Sequence, residues 1–498
     1  MSEGPPATAV GVTVVLERRR QHPLGPLLRL QGVGQALFFG VIAGGSGGGW
    51  LRLLSLVPIL LLVGFRALEW AMTAYEVADG ALRVDSGLFT RRRRAVPLDR
   101  VQQVDLRRGL RHRLFGLWQV TVDAAGGSGG EVTLILSNAE TARFRAALVP
   151  GATTAPVDAD GDADGDEPAT GSGTSPVLVR LRPGQLAVAG VTGAKQLVML
   201  AVLGSGLQLL DDVPTGVRDA VAGRLPSGTW WLVVAAVLAL PAWCALAALA
   251  QLATDLGFTL TSDGSVLQVR RGFPTERVAS LALDRVQAVR VSQALVRRPL
   301  GMVAVQVAAA GSGRSADAQV SRLTVPILLI GDVDRLVEAV LPGAAPLPAL
   351  TAAPPAARRR QVLRRVVPAA VVAGAATVLL WPWGLVAVVL VPPAFILGEL
   401  AFRGLGHART PTHLVARRGA LGQRTVVVPV ARTQSARVRQ SLLQRRAGLA
   451  TLSLDAAGRG NQVLATDLPV EEALELAAEA ATAAAARGDE RVRRRRRG

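Results

Sequence analysis

Three arginines, Arg100, Arg285 and Arg432, each precede a glutamine by two residues: Gln102, Gln287 and Gln434. A planar guanidinium with an amide close by can grip a phosphate or a carboxylate. The same pair can instead tie a strand end to backbone carbonyls. Recurrence in segments that otherwise diverge favours this structural role. A second cationic feature is the run Arg91, Arg92, Arg93 and Arg94, which follows an apolar stretch. Arginines beside a membrane attract anionic lipid at roughly 1 kcal/mol each. They also act as an orientation signal.

Other chemistry is sparse. Asp158, Asp160, Asp162, Asp164, Asp166 and Glu167 alternate with small residues. The order superficially resembles a calcium loop, but Gly171 stands where the twelfth-position acid is needed. A solvated linker is the better reading. His22, His112, His407 and His413 lack metal-ligand spacing. No nucleophile elbow, phosphate loop, dinucleotide glycine pattern or zinc-protease motif stands out. The apolar segments hold no paired carboxylates for a proton relay. The expectation is therefore a protein that is not an enzyme, with no catalytic, metal or cofactor residues.

The elements that position these residues follow from composition. Half of the 498 residues are hydrophobic, and mean hydropathy is +0.34. Those values point to membrane spans mixed with soluble modules. The net charge of +19 is almost all arginine, with Lys195 the single lysine. An arginine-rich composition makes this basicity weak support for nucleic acid, and no nucleic-acid partner is expected. Cys244 is the sole cysteine, so no disulfide forms within the chain. It lies in an apolar stretch and reads as a small buried hydrophobe. The first thirty residues do not read as a cleavable signal peptide.

Apolar segments come in pairs. Leu30 to Leu51 is uncharged, and Leu53 to Phe65 follows after Arg52. The second pair is Gln196 to Leu210, marginal unless it begins near Leu186, and Trp230 to Ala253. The third region, Val366 to Gly398, is uncharged throughout. One helix of that length would be ~50 Å long, against a hydrocarbon core of ~30 Å. Trp381-Pro382-Trp383-Gly384 at its middle predicts two short helices turning there. One long tilted span is the alternative. Arg18 to Arg20, Arg29, Arg358 to Arg360, Arg364 and Arg365 precede the pairs. By the positive-inside rule both termini, and everything between the pairs, lie in the cytoplasm.

After each pair comes one repeated block, aligned without gaps. From Arg100, Arg285 and Arg432 the spacing is constant to Arg113, Arg298 and Arg445. It is constant again to Gly116, Gly301 and Gly448, and to the Ala-Ala-Gly ends at Gly126, Gly311 and Gly458. Gly87, Gly272 and Gly419 stand equally far before the arginines. Composition alone does not match so many residue types in one register three times. Period-two runs predict strands at Ala81–Asp85, Val266–Arg270, Gln119–Asp123, Val303–Val307, Thr451–Asp455 and Val132–Leu136. A helix is expected to close each block: Asn138–Leu148, Asp332–Leu341 and Pro469–Ala486. The glycines are expected to serve turns with positive φ. Arg493–Arg497 reads as a disordered tail on the membrane surface.

Each block resembles the bacterial pleckstrin-homology (PH) domain of the membrane-bound, YdbT-like family. The Arg-x-Gln pair, the second arginine, the Gly-Leu or Gly-Met pairs and the Ala-Ala-Gly ends carry the resemblance. The third block departs most, because Ala431 replaces the aspartate before its arginine. The resemblance implies membrane α-helical hairpins plus α+β soluble modules. Three PH-like β-barrel or sandwich domains would each be closed by a C-terminal helix. The expected order is an N-terminal segment (1–29), hairpin 1 (30–72), module 1 (73–150), an acidic linker (151–176) and hairpin 2 with its flank (177–254). Module 2 (255–343), a Pro/Ala/Arg linker (344–365), hairpin 3 (366–402), module 3 (403–487) and a basic tail (488–498) follow. The implied function is binding or scaffolding at the inner leaflet, in envelope homeostasis or stress tolerance. Lipid handling or transport through the hairpins is the alternative. The expected partners are the lipid bilayer and a membrane or cytoplasmic protein, with self-association left open.

Overall fold

The computed structural model describes residues 16–23, 70–86, 92–98, 101–124, 131–148, 176–193, 230–309, 322–456 and 462–497, with 25, 64, 65 and 68 besides. The first run of elements is β1 (Leu16–Arg20), β2 (Ala74–Ala78), β3 (Ala81–Ser86), β4 (Arg92–Pro97), β5 (Val101–Arg108), α1 (Leu110–Leu114), β6 (Leu117–Ala124), β7 (Glu131–Ser137) and α2 (Asn138–Leu148). The second is β8 (Val177–Arg180), α3 (Pro183–Thr192), α4 (Trp230–Asp255), β9 (Thr259–Ser262), β10 (Val266–Arg271), β11 (Glu276–Ala282), β12 (Val286–Gln293), β13 (Met302–Ala309), β14 (Arg322–Leu329) and α5 (Val333–Val340). The third is β15 (Thr351–Ala352), α6 (Pro355–Leu379), α7 (Val391–Arg403), β16 (Gly406–Arg409), β17 (His413–Arg418), β18 (Gln423–Pro429), β19 (Thr433–Arg439), α8 (Leu442–Arg446), β20 (Leu449–Ala456), β21 (Gln462–Pro469) and α9 (Val470–Arg497).

The period-two runs are strands, and each block ends in a helix. Two compact units form, the first from 1–176, 261–269 and 274–282, the second from 177–260, 270–273 and 283–498. In the first unit, β1-β2-β3-β4 make one antiparallel sheet. β7-β6-β5 make another, which β11 extends. Tyr75, Trp118, Phe144 and Val278 share its core. The Tyr75 and Phe144 rings meet edge to face, 5.8 Å apart.

In the second unit a seven-stranded sheet runs β14-β13-β12-β18-β17-β16-β15, and β19-β20-β21 form a separate sheet. Leu414, Val426, Leu452, Val463 and Leu476 fill the core between them. Strands of neighbouring repeats therefore share a sheet, and a repeat is not a self-contained barrel. An edge strand exposes a row of unpaired amides and carbonyls, and pairing it with the next repeat satisfies them.

The apolar helices differ in how far they are described. Most of hairpin 1 and the Gln196–Leu210 segment lie outside the described residues. Helix α3 begins before Leu186 but ends at Thr192, where Gly193 is extended, so it does not run on toward Lys195. Val237–Asp255, Pro355–Leu379 and Trp383–Arg403 are long and apolar enough to cross a membrane. The third region is a pair, with α6 and α7 separated by the Trp-Pro-Trp-Gly turn and a 3-10 stretch over Trp383–Leu390. Gly384 lets the backbone approach Ala376, and Gly398 lets α7 approach Val362 of α6. Trp383 and Val378 are 82% and 81% exposed, as a lipid-facing surface would be.

One expectation is corrected at the C-terminus. Arg493–Arg497 do not form a disordered tail but continue α9. Eight of the ten residues from 477 to 486 are alanine, the best helix former, and Glu471 and Glu472 in the first turn complement the helix dipole.

Candidate functional site

The repeated residues gather where one block meets the next. β11 pairs with β5, Glu276 opposite Arg108 through Leu281 opposite Gln103. β18 pairs with β12, Gln423 opposite Gln293 through Val427 opposite Val289. Residues 423 and 293 occupy the repeat positions of 276 and 108, so the two junctions share one register. A short 3-10 turn at Val430–Arg432 makes the corner between the third block's two sheets, and its counterpart Leu283–Arg285 follows β11.

The arginines brace these turns. Arg432 donates from Nη1 to the carbonyls of Leu283 (3.4 Å) and Val286, across the junction. Arg298 Nη2 donates to the carbonyls of Ala420 (2.7 Å) and Leu421 (3.3 Å), in the turn before β18. Gln287 Nε2 reaches the Arg285 carbonyl at 3.3 Å, and Arg285 sits 3.5 Å from Asp284. Gln434, Arg113 and Arg445 are exposed. Gly116, Gly301 and Gly448 hold φ of +64°, +59° and +64°, the left-handed region that side chains disfavour. Arg91, Arg100, Gly126, Gly311 and Gly458, with the Arg92 and Gln102 side chains, lie outside the described residues.

The sequence reading missed a second set of braces, which hold the apolar helices. Each repeated arginine follows a polar residue: His112, Arg297 or Gln444. Arg297, 6% exposed, donates to Thr192 Oγ1 (2.8 Å) and the Ala189 carbonyl (3.0 Å) of α3, and to the Pro326 carbonyl (3.0 Å) of β14. Gln444 Nε2 donates to Asp467 Oδ1 at 2.8 Å. Asp467 is fully buried and also accepts from Arg360 and from Gln361 Nε2 (2.7 Å), on the first turns of α6. At the foot of α4, buried Asp255 accepts from Gln251 and from Arg271 Nη1 (3.0 Å). The position was legible only as a shared polarity, because its residue type changes each time.

The arginine run enters a groove of about 470 Å³ on the first sheet, lined by Arg18, Arg83, Arg93, Arg94, Glu76 and Asp85. Asp85 bridges Arg18 (3.0 Å) and Arg93 (3.7 Å), while Arg83 holds Asp79 at 2.9 Å. Four guanidinia against two lining carboxylates leave the groove cationic. Tyr75, also lining it, is pushed up to about 12 by burial and then by Glu140, and stays neutral.

His407 and His413 make local side-chain contacts. His407 Nε2 lies 2.6 Å from Glu472 Oε1, and His413 Nδ1 lies 2.8 Å from Thr412 Oγ1. Burial, then Arg432, holds His413 below the usual imidazole range. Among the described residues no three His, Cys, Asp or Glu side chains gather for a metal. The acidic run 158–167 lies outside them. Cys244 is half-buried on α4.

A family model described as "Bacterial PH domain" matches three times, over residues 27–149, 201–343 and 362–484. Each match takes in apolar segment and module together. The UPF0699 transmembrane protein YdbT of Bacillus subtilis (strain 168) is 21% identical over 407 residues, covering 80% of this chain and 82% of that protein. No solved structure matches. With three matches spanning most of its length, the chain belongs to the bacterial PH domain family, as a transmembrane protein that carries the domain three times.

Proposed function

We propose that the protein is a non-enzymatic scaffold of the cytoplasmic membrane, displaying its three PH-like modules at the inner leaflet. The return of hairpin 3 to its own module carries this reading. Arg358 near the start of α6 pairs with Glu399 near the end of α7 at 2.7 Å, and Glu399 also holds Arg403 at 3.1 Å. Both ends of the pair thus meet on the side of module 3, while the uncharged Trp-Pro-Trp-Gly turn lies at the far end. The near end holds Arg358, Arg359, Arg360, Arg364, Arg365 and Arg403, which favours the cytoplasmic side. An even number of crossings in every hairpin keeps all modules on one face. The C-terminal helix of each block closes its module; in module 3, Ala473, Leu476 and Ala480 of α9 lie in the core.

The cationic groove of module 1 supports an anionic headgroup as one contact. The test is purification of the tagged protein from native membranes in mild detergent, with co-purifying proteins and lipids identified by mass spectrometry. A reproducible protein partner is expected. A stoichiometric lipid with no protein would move the reading to lipid handling.

A further inference from the structure

Strand β19 is a junction edge left open. Its repeat counterparts β5 and β12 each pair with the following block, through β11 and β18. β19 pairs with β20 on one side, and no strand among the described residues takes the other. Exposure marks the difference. Ala288 to Val291 of β12 are all buried, whereas at the corresponding positions 435 to 438 Ser435 and Arg437 are exposed and Ala436 and Val438 half-buried. Ala436 and Val438 point into the core of module 3. Ser435, Arg437 and Arg439 point the other way and are exposed. Arg445 completes the parallel. Its counterpart Arg298 holds the carbonyls of Ala420 and Leu421 in the turn entering the partner strand, whereas Arg445 is exposed at the same place.

The other strand of a junction, the counterpart of β11 and β18, is the edge strand β4. A second copy could offer its β4 to β19. In the register of both internal junctions that pairing sets position 94 opposite 437 and position 92 opposite 439, arginine against arginine each time. Like charges directly opposite destabilise a sheet. The internal junction tolerates Arg277 opposite Arg107 only with Glu276 alongside, opposite Arg108. Residues 92–97 and 433–440 contain no acid at all. The edge has the place of a docking strand in the repeat, yet its charge rejects β4 of a second copy.

We propose that β19 receives an extended acidic segment of a partner protein as an added antiparallel strand. Backbone amides and carbonyls supply the affinity, as in β-strand addition generally. Carboxylates at alternate positions face Arg437 and Arg439, and Arg445 takes the carbonyls of the residues leading in. This goes beyond the scaffold reading by naming the surface and the chemistry of what it holds.

The test uses the full chain in nanodiscs of phosphatidylcholine, with a fluorescent ten-residue peptide alternating Glu and Val, and its Lys/Val counterpart. Anisotropy reads affinity and hydrogen exchange reads location. The Glu peptide is expected to bind at least tenfold tighter than the Lys peptide and to slow exchange within 434–439. Arg437→Glu with Arg439→Glu should reverse that preference, a gain of Lys-peptide binding that a misfolded variant cannot give. Arg445→Ala should weaken the Glu peptide severalfold. Equal binding to wild type and reversed variant, or protection confined to 92–97, would overturn the proposal. So would protection of β19 without peptide, rising with protein concentration (a second copy) or with anionic lipid in the disc (a membrane contact).

Discussion

Asp467→Asn tests how the third module grips its apolar helices. Asp467 is fully buried, and Arg360, which donates to it, has a side chain only 11% exposed. Asn keeps an acceptor oxygen and tolerates the φ of +63° at this position, so backbone strain does not enter. It removes the charge, leaving the guanidinium uncompensated. Breaking a buried pair costs about 3–5 kcal/mol. Residual exposure of Arg360 and the retained oxygen lower this to about 2–3 kcal/mol, or a roughly 30- to 150-fold change in a local opening equilibrium at 1.36 kcal/mol per tenfold. Hydrogen exchange on detergent-solubilised protein reads that change directly. The amides of 463–468 and of the first turns of α6 should exchange faster by that factor, with module 1 unaffected. Adding Arg360→Gln should recover most of the loss, because the stranded charge is then gone. Exchange within threefold of wild type in the single variant would refute the reasoning.

Three further outcomes follow from the same geometry. Arg298→Ala removes two donations to the turn before β18, worth about 1.5–3 kcal/mol for a charged donor, and should speed exchange at 420–425 more than tenfold. His413 is held below its usual range by burial and then by Arg432, against Glu338. The unfolded chain therefore binds the proton more readily, so stability is complete above ~6.5 and falls as pH drops toward the folded-state value. His413→Gln should flatten the fall in the melting temperature of module 3 between pH 7.5 and pH 5.5. Reversing Arg93 and Arg94 to Glu should weaken pelleting of the detergent-depleted protein with phosphatidylserine vesicles by tenfold or more, from ~1 kcal/mol per lost charge, and 0.5 M salt should erase the difference.

Local features were legible in the sequence. Period two marked six of the strands (β3, β6, β7, β10, β13 and β20), and the spacing of Gly116, Gly301 and Gly448 marked three turns that need positive φ. Trp-Pro-Trp-Gly gave the break between α6 and α7. What escaped was non-local. Nothing in β11 or β18 says that its partner belongs to the previous block, because a strand's edge carries no signature of which edge it meets. Arg360 and Asp467 stand 107 positions apart, and only the fold brings them together. The braces Arg297 and Gln444 keep a role while changing residue type, so a search for identities passes over them. The arginine end of α9 misled in the opposite sense, since a run of like charge reads as disorder until the alanines that carry the helix into it are weighed.

The most direct test of the account is the sidedness of the three modules. Cys244→Ala removes the only cysteine. Single cysteines then replace exposed Asp79, Asp284 and Glu475, one in each module. Intact cells are treated with a membrane-impermeant maleimide before and after permeabilisation. The account predicts no labelling at any of the three sites until the membrane is opened, and full labelling afterwards. Labelling of Glu475→Cys in intact cells, with the other two protected, would place module 3 outside and contradict the one-sided scaffold.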